Sequence, residues 1–128
     1  MKCLKGTSKS PLIIFTYQSG TNWVRIYSDG WCEQGANNLS IPGNAANYVV
    51  RLILPYRSVN DYNLTLRISD QDGAQDQASE WGCGRKTITT FEIGINGGFG
   101  TTQNFDWSGK GYVDLEDPAV KKFIDDNK

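Results

Sequence analysis

Alternation of apolar and polar side chains with a period of two is the feature that most constrains this chain. In residues 62–68 an apolar side chain stands at every second position. Because successive side chains of a strand point to opposite faces of a sheet, this run predicts a strand with one buried face. Residues 87–95 alternate in the same way. Residues 48–54 are apolar on both sides, which predicts a more central strand that ends at Pro55.

Turn-forming residues separate the alternating runs. Asp29 and Gly30 lie between residues 23–27 and 31–34, and an Asp-Gly step in that position predicts a β-hairpin. The other predicted elements are strands at residues 12–17 and 104–113 and polar connections at residues 35–47, 70–84 and 96–100.

Only the C-terminal residues have a helical pattern. Asp117 and Pro118 suit the N-cap and the first position of a helix. The residues that follow place Val120, Phe123 and Ile124 on one face, and a helix this short needs a surface to dock on. The 128-residue chain also contains 14 glycines and few helix formers elsewhere. It is therefore predicted to be all-β, a small antiparallel β-sandwich with a short C-terminal helix.

The predicted organisation has three parts. Residues 1–20 form an N-terminal segment with the first strand, residues 21–113 form the sandwich, and residues 114–128 form a helical tail. A chain of this length corresponds to one hydrophobic core.

Composition excludes several functions. The chain has no histidine, so Ser-His-Asp triads, Cys-His dyads and His-ligated metal sites are ruled out. Its net charge of −1 offers no cationic surface for nucleic acid. The cysteines Cys3, Cys32 and Cys83 form no CxxC pair, which favours reduced thiols but leaves one bridge open. No apolar run is long enough for membrane insertion. We expect no cofactor, no metal, no nucleic-acid partner and no membrane span.

Three blocks of the sequence resemble a known family. Residues 22–35 resemble the "W-x-R-x-[YW]-S-D-G-W-x-E-Q-G-G" signature of tail-fibre and other distal tail proteins of bacteriophages and prophages. Residues 54–56 stand where those proteins have an "F-P-x-x-F" strand end, and residues 105–112 resemble their closing "F-x-W-x-A-x-G-Y" strand. The blocks follow the family's order, with Ala36 in place of the second glycine and Gly109 in place of the alanine.

The resemblance implies a small β-sandwich at the free end of a trimeric fibre. Its implied function is that of a phage receptor-binding domain, without enzymatic activity, which attaches the virion to a bacterial surface glycan. The implied partners are two further copies in a homotrimer, a cell-surface glycan or protein, and other tail proteins. The implied location is the virion tail, assembled in the bacterial cytoplasm. Two alternatives remain: a free-standing carbohydrate-binding β-sandwich, and a structural tail subunit without receptor binding.

Receptor contacts are expected in the polar loops. Trp81 lies among polar residues and suits stacking on a sugar ring, while Asp72 and Asp76 suit hydrogen bonds to hydroxyl groups. Arg85 would attract acidic groups, and Phe99 adds an apolar face in the next loop. The carboxylates of residues 70–80 lack the rest of an EF-hand loop and the apolar setting of a glycosidase pair, so we expect neither calcium binding nor hydrolysis.

A second set of residues is predicted to form the contact between subunits. Trp23, Tyr27, Val49 and Ile53 are expected on faces opposite the main core, where they would leave apolar area exposed. Exposed apolar patches of that kind mark interfaces, so the four residues are predicted to line the axis of a trimer. The tryptophans within strands, Trp31 and Trp107 among them, are expected to pack rather than to bind ligand.

Overall fold

The computed structural model describes residues 10–41, 47–69, 82–84, 86–94 and 103–128. Within these ranges the chain forms eight strands, a short 3₁₀ turn at Val59–Asp61 and one α-helix. In chain order they are β1 (Ile13–Ser19), β2 (Asn22–Tyr27), β3 (Trp31–Ile41), β4 (Asn47–Arg51), β5 (Tyr62–Ser69), β6 (Gly82–Gly84), β7 (Thr90–Gly94), β8 (Gln103–Tyr112) and α1 (Pro118–Asp126). The prediction of an all-β chain with a short C-terminal helix is confirmed.

Two antiparallel sheets enclose the core. The larger sheet has five strands in the order β1-β2-β3-β8-β5, and the smaller has three in the order β4-β7-β6. Aromatic rings meet between the sheets: Phe91 of β7 lies 5.2 Å from Trp107 of β8, and Tyr48 of β4 lies 6.2 Å from Phe105, measured between ring centroids. The sheets therefore face each other as a sandwich, as the sequence predicts, and Trp107 is buried between them.

The strands with the clearest alternation form as predicted. In β5, Tyr62 is buried, Leu64 and Leu66 pack against the core, and the residues between them are exposed. The hairpin of β2 and β3 turns at Gly30, whose φ of +95° is a conformation that favours glycine. The Asp29 carboxylate accepts a hydrogen bond from the Trp31 backbone N–H at 3.0 Å, which fixes the turn.

The prediction of a central strand at residues 48–54 is wrong. Strand β4 ends at Arg51 and lies at the edge of the smaller sheet. Leu52 and Leu54 are buried although they lie beyond the strand, because the chain there packs on the core beside Ile88 and Thr89. Continuous apolar character therefore reflects a buried connection in this segment.

The prediction of a polar connection at residues 35–47 is also wrong in its first half. Strand β3 continues to Ile41 because β8 pairs with it along its length. The register shifts between Ala36 and Leu39, where Asn38 has a φ of +56° and its N–H is bound by the Asp106 carboxylate at 2.8 Å. Such a bulge lets an Asn-rich segment remain in the sheet. Strand β6 likewise occupies the end of the predicted loop at residues 70–84.

The C-terminal helix begins as predicted and docks on the core. The Asp117 carboxylate accepts a hydrogen bond from the Ala119 N–H at 2.8 Å, as an N-cap residue does. Val120 is fully buried, and the Phe123 ring meets those of Phe15 and Tyr17 at centroid distances of 5.9 and 4.9 Å. Thus α1 packs on β1, and both belong to the same core as the sandwich.

A buried glutamine joins the two sheets. Gln34 of β3 is fully buried, and its Oε1 accepts hydrogen bonds from the backbone N–H groups of Ile53 at 2.8 Å and Leu54 at 2.9 Å. Its Nε2 donates to the Leu54 carbonyl at 2.9 Å. The amide side chain therefore satisfies three backbone groups of the segment that follows β4, where no strand pairs with them.

We expect Gln34→Leu to destabilise the protein by about 3 kcal/mol or more, because each buried polar group left unpaired costs about 1–3 kcal/mol. Urea unfolding measures the effect. Gln18→Leu is the matched control, since Gln18 is exposed on β1 of the same sheet. Equal losses for the two variants would contradict the role assigned to Gln34.

Candidate binding face

The side of the five-stranded sheet that faces away from the core, called the outer face below, carries polar and aromatic side chains. These side chains alternate with the core residues of the same strands. From β1 to β5 they are Thr16 and Gln18; Trp23, Arg25 and Tyr27; Trp31, Glu33 and Gly35; Asp106, Ser108, Lys110 and Tyr112; Asn63, Thr65 and Arg67.

One row of this face crosses all five strands in register. Its members are Gln18, Trp23, Gly35, Ser108 and Thr65, each paired with the next on the neighbouring strand. Trp23 is the only large side chain of the row, and it is half-buried. The row therefore places one indole beside three small residues.

Gly35 allows the indole to lie close to the sheet. A Cβ atom at position 35 would stand 2.9 Å from Cζ2 of Trp23 and 2.2 Å from the Trp107 carbonyl oxygen. Both distances are shorter than van der Waals contact, so any larger residue would displace the indole or the β8 backbone. The glycine thus sets the position of Trp23 as well as the β3–β8 pairing.

Depressions lie on both sides of Trp23. The larger, of about 430 Å³, is lined by Trp23 together with Thr16, Gln18, Arg25 and Asn37. The smaller, of about 130 Å³, is also lined by Trp23 and Asn37, and its other walls are side chains of β5 and β8: Thr65, Arg67, Asp106 and Ser108. An indole between a mainly polar depression and a smaller, more apolar one offers an apolar surface with hydrogen-bonding groups around it.

Hydrogen bonds and ring contacts hold Trp31 and Tyr112 in place on this face. The Trp31 indole N–H donates to the Glu33 carboxylate at 3.0 Å, and the same carboxylate pairs with Arg25 at 3.1 Å. The Trp31 and Tyr112 rings pack edge to face with their centroids 5.1 Å apart. The Arg57 guanidinium carbon lies 5.2 Å from the centroid of the Tyr112 ring. Packing of Trp31 agrees with the prediction from sequence.

Trp23 differs from Trp31 in its surroundings. It makes no hydrogen bond and no aromatic ring contact with the part of the chain that the structure describes. The sequence predicts Trp23 to pack in the core or at a subunit contact, and the feature that makes it a candidate site residue is the set of small residues beside it. That feature appears only when β3, β8 and β5 are aligned in register.

All the receptor-contact residues predicted from sequence lie outside the described residues. They are Trp81, Asp72, Asp76, Arg85 and Phe99.

The residues predicted to line one trimer axis do not share a face. Trp23 and Tyr27 point outward from the larger sheet, whereas Val49 is 58% exposed on the opposite side of the sandwich. Ile53 is partly buried and lines an apolar groove of about 270 Å³ with Pro55 and Phe123. Within one chain the four residues therefore lie on different faces of the sandwich, and their place at a subunit contact stays a prediction.

Burial suppresses the reactivity of Cys32. The free thiol is fully buried, which raises its pKa from 9.0 to about 12. Since the thiolate is the reactive form, Cys32 is held as an inert thiol. Among the described residues, no three Cys, Asp or Glu side chains are grouped as metal ligands.

The raised pKa predicts a dependence of stability on alkaline pH. Above pH 9.0 the unfolded chain loses the Cys32 proton while the folded chain keeps it up to about 12. The free energy of unfolding should therefore fall with rising pH, by about 1.4 kcal/mol per pH unit for this proton. Urea unfolding across this range should show a steeper fall for the natural protein than for Cys32→Ala. Parallel curves would contradict the prediction.

Comparison of the chain with family models, with curated proteins and with solved structures finds no match. In the described ranges, no helix has the length and apolar character needed to cross a membrane.

Proposed function

We propose that this protein is a non-enzymatic binding module that attaches a phage tail to a glycan on the bacterial surface. The observation that carries the proposal is the indole of Trp23, which lies between two depressions with hydrogen-bonding groups in their walls, on a five-stranded sheet. In this proposal the protein acts in the virion tail and is assembled in the bacterial cytoplasm.

The chemistry of the outer face suits a sugar. Pyranose rings have an apolar C–H face that packs on an indole, and their hydroxyl groups need donors and acceptors around it. Thr16, Gln18 and Asn37 supply such groups in the larger depression, and Thr65 and Ser108 supply them in the smaller one. Strands fix the backbone positions of these side chains, which limits the backbone entropy lost on binding.

The phage assignment is supported by how the three family-like blocks meet. The hairpin block at residues 22–35 pairs with the block at residues 105–112 as β3 with β8. The block at residues 54–56 is bound by the Gln34 amide, and the Tyr56 hydroxyl donates to the Cys32 carbonyl at 3.2 Å. The three blocks thus form one structural unit, as expected when a sequence signature describes a common scaffold.

We expect Trp23→Ala to weaken glycan binding at least tenfold, which corresponds to about 1.4 kcal/mol, because the stacking surface is lost. An array of bacterial surface polysaccharides identifies the glycan, and calorimetry and adsorption to cells measure the loss. Tyr27→Ala is the matched control, since Tyr27 lies on the same strand and face but lines neither depression.

The same assay distinguishes glycan binding at the outer face from glycan binding at the loop of residues 70–84, which the sequence predicts as the site. Loss of binding in Trp81→Ala with normal binding in Trp23→Ala would move the site to residues 70–84. Unchanged binding in both variants would contradict glycan recognition by either tryptophan. Binding of glycan by a protein that is absent from virions would favour the free-standing carbohydrate-binding module.

We also propose that the chain forms a homotrimer, with Val49 at the contact. Light scattering should then give a mass of about 43 kDa, three times that of the 14.2 kDa chain. Val49→Lys should produce monomers, because a charge is costly to bury in an interface. These monomers should stay folded, because residue 49 lies opposite Glu92 in the sheet, where a positive charge is favourable.

An edge-strand variant provides the comparison for Val49. Ile14 is 51% exposed on β1, at the edge of the larger sheet. If Ile14→Lys dissociates the trimer and Val49→Lys does not, the contact lies along β1. A natural protein that is monomeric at micromolar concentration would contradict the trimer.

A further inference from the structure

We infer that the outer face binds the interior of a linear polysaccharide, with the sugar chain running across the strands. The inference rests on the proposed function and specifies the ligand class. It follows from the lengths of the side chains in three neighbouring rows of the sheet.

The floor of the site is the row that contains Trp23. Beyond the indole, which lies close to Gly35, the row continues with the small side chains of Ser108 and Thr65 on β8 and β5. No long side chain of this row rises between Trp23 and the β5 edge.

Longer side chains stand on both sides of this floor. On one side the neighbouring row contains Arg25, Glu33 and Lys110, paired in register across β2, β3 and β8. On the other side Asp106 and Arg67 form a second pair across β8 and β5. The outer face is therefore a trough with polar walls, and its axis is perpendicular to the strands.

The two depressions are parts of this trough. Trp23 and Asn37 line both of them, the larger towards β1 and the smaller towards β5. A sugar ring on Trp23 would have neighbours on both sides, one in each depression. That arrangement matches three or more consecutive rings of a polymer.

The length and the ends of the trough also favour a polymer. Four spacings between five strands amount to about 19 Å, which is longer than one sugar ring. Its ends lie at β1 and β5, the edge strands of the sheet in the described part of the chain. A pocket for a terminal sugar is closed at one end, whereas from Trp23 to the β5 edge no long side chain of the floor row closes this trough.

Fragments of the polysaccharide that binds best on the array, from monosaccharide to hexasaccharide, test the inference by calorimetry. Affinity should rise at least tenfold from the disaccharide to the tetrasaccharide and then level off. A monosaccharide that binds as tightly as the hexasaccharide would overturn the inference and leave the proposed function intact. A protein that binds no glycan at all would overturn both.

A substitution in the floor provides the second test. Ser108→Gln adds a long neutral side chain across the trough and should weaken binding of the hexasaccharide at least tenfold. Binding of a disaccharide, which fits the larger depression, should change less than twofold. Asn63→Gln is the matched control in the wall row of β5. Thr65→Gln blocks the next floor position and provides a second variant in case Ser108→Gln folds poorly. Unchanged hexasaccharide affinity in both floor variants would overturn the inference.

Discussion

The hydrogen bonds of Gln34 are the interaction on which the rest of the structure depends. The chain leaves the smaller sheet after Arg51 and crosses the core, where the peptide groups of Ile53 and Leu54 have no strand to pair with. An apolar residue at position 34 would leave those groups unpaired in the interior. A glutamine amide can both accept and donate, so it binds this connection as a neighbouring strand would. The contact thus ties the connection after β4 to β3 of the larger sheet.

Neighbouring residues of β3 point alternately into the core and onto the outer face. Gln34 points inward and joins the sheets, while Gly35 points outward and leaves room for Trp23. Glu33, also outward, holds Trp31 and Arg25 in place. All three residues belong to the block that resembles phage tail proteins, and each has a structural role. In the proposed function, the ligand would contact residues inside the blocks, such as Trp23 and Ser108, together with residues outside them, such as Gln18 and Asn37.

Local patterns predicted the parts of the fold that local interactions stabilise. The β2–β3 hairpin, the alternating strand β5 and the N-cap of α1 were all predictable, because turn residues, alternation and capping act within a few positions. Strand β3 beyond Gly35 was not, since its partner β8 is about seventy residues away along the chain. The buried connection after β4 is bound by Gln34, which no local pattern connects with Leu54. The trough has the same origin, because its rows exist only in the register of distant strands.

An open trough on a sheet has energetic consequences for the proposed attachment. The strands fix the backbone beneath its side chains, so little backbone conformational entropy is lost when a sugar chain binds. A shallow face also buries less of its ligand than a closed pocket does, which limits the affinity of one site. A trimer would present three such faces on one fibre end, and a repeating polysaccharide offers many equivalent segments. Binding of the first segment then raises the effective concentration of the others, so avidity compensates for weak single sites. Internal-chain recognition and trimerisation are therefore mutually reinforcing, since a polymer bound along its length can engage several troughs whereas a single chain end can engage only one.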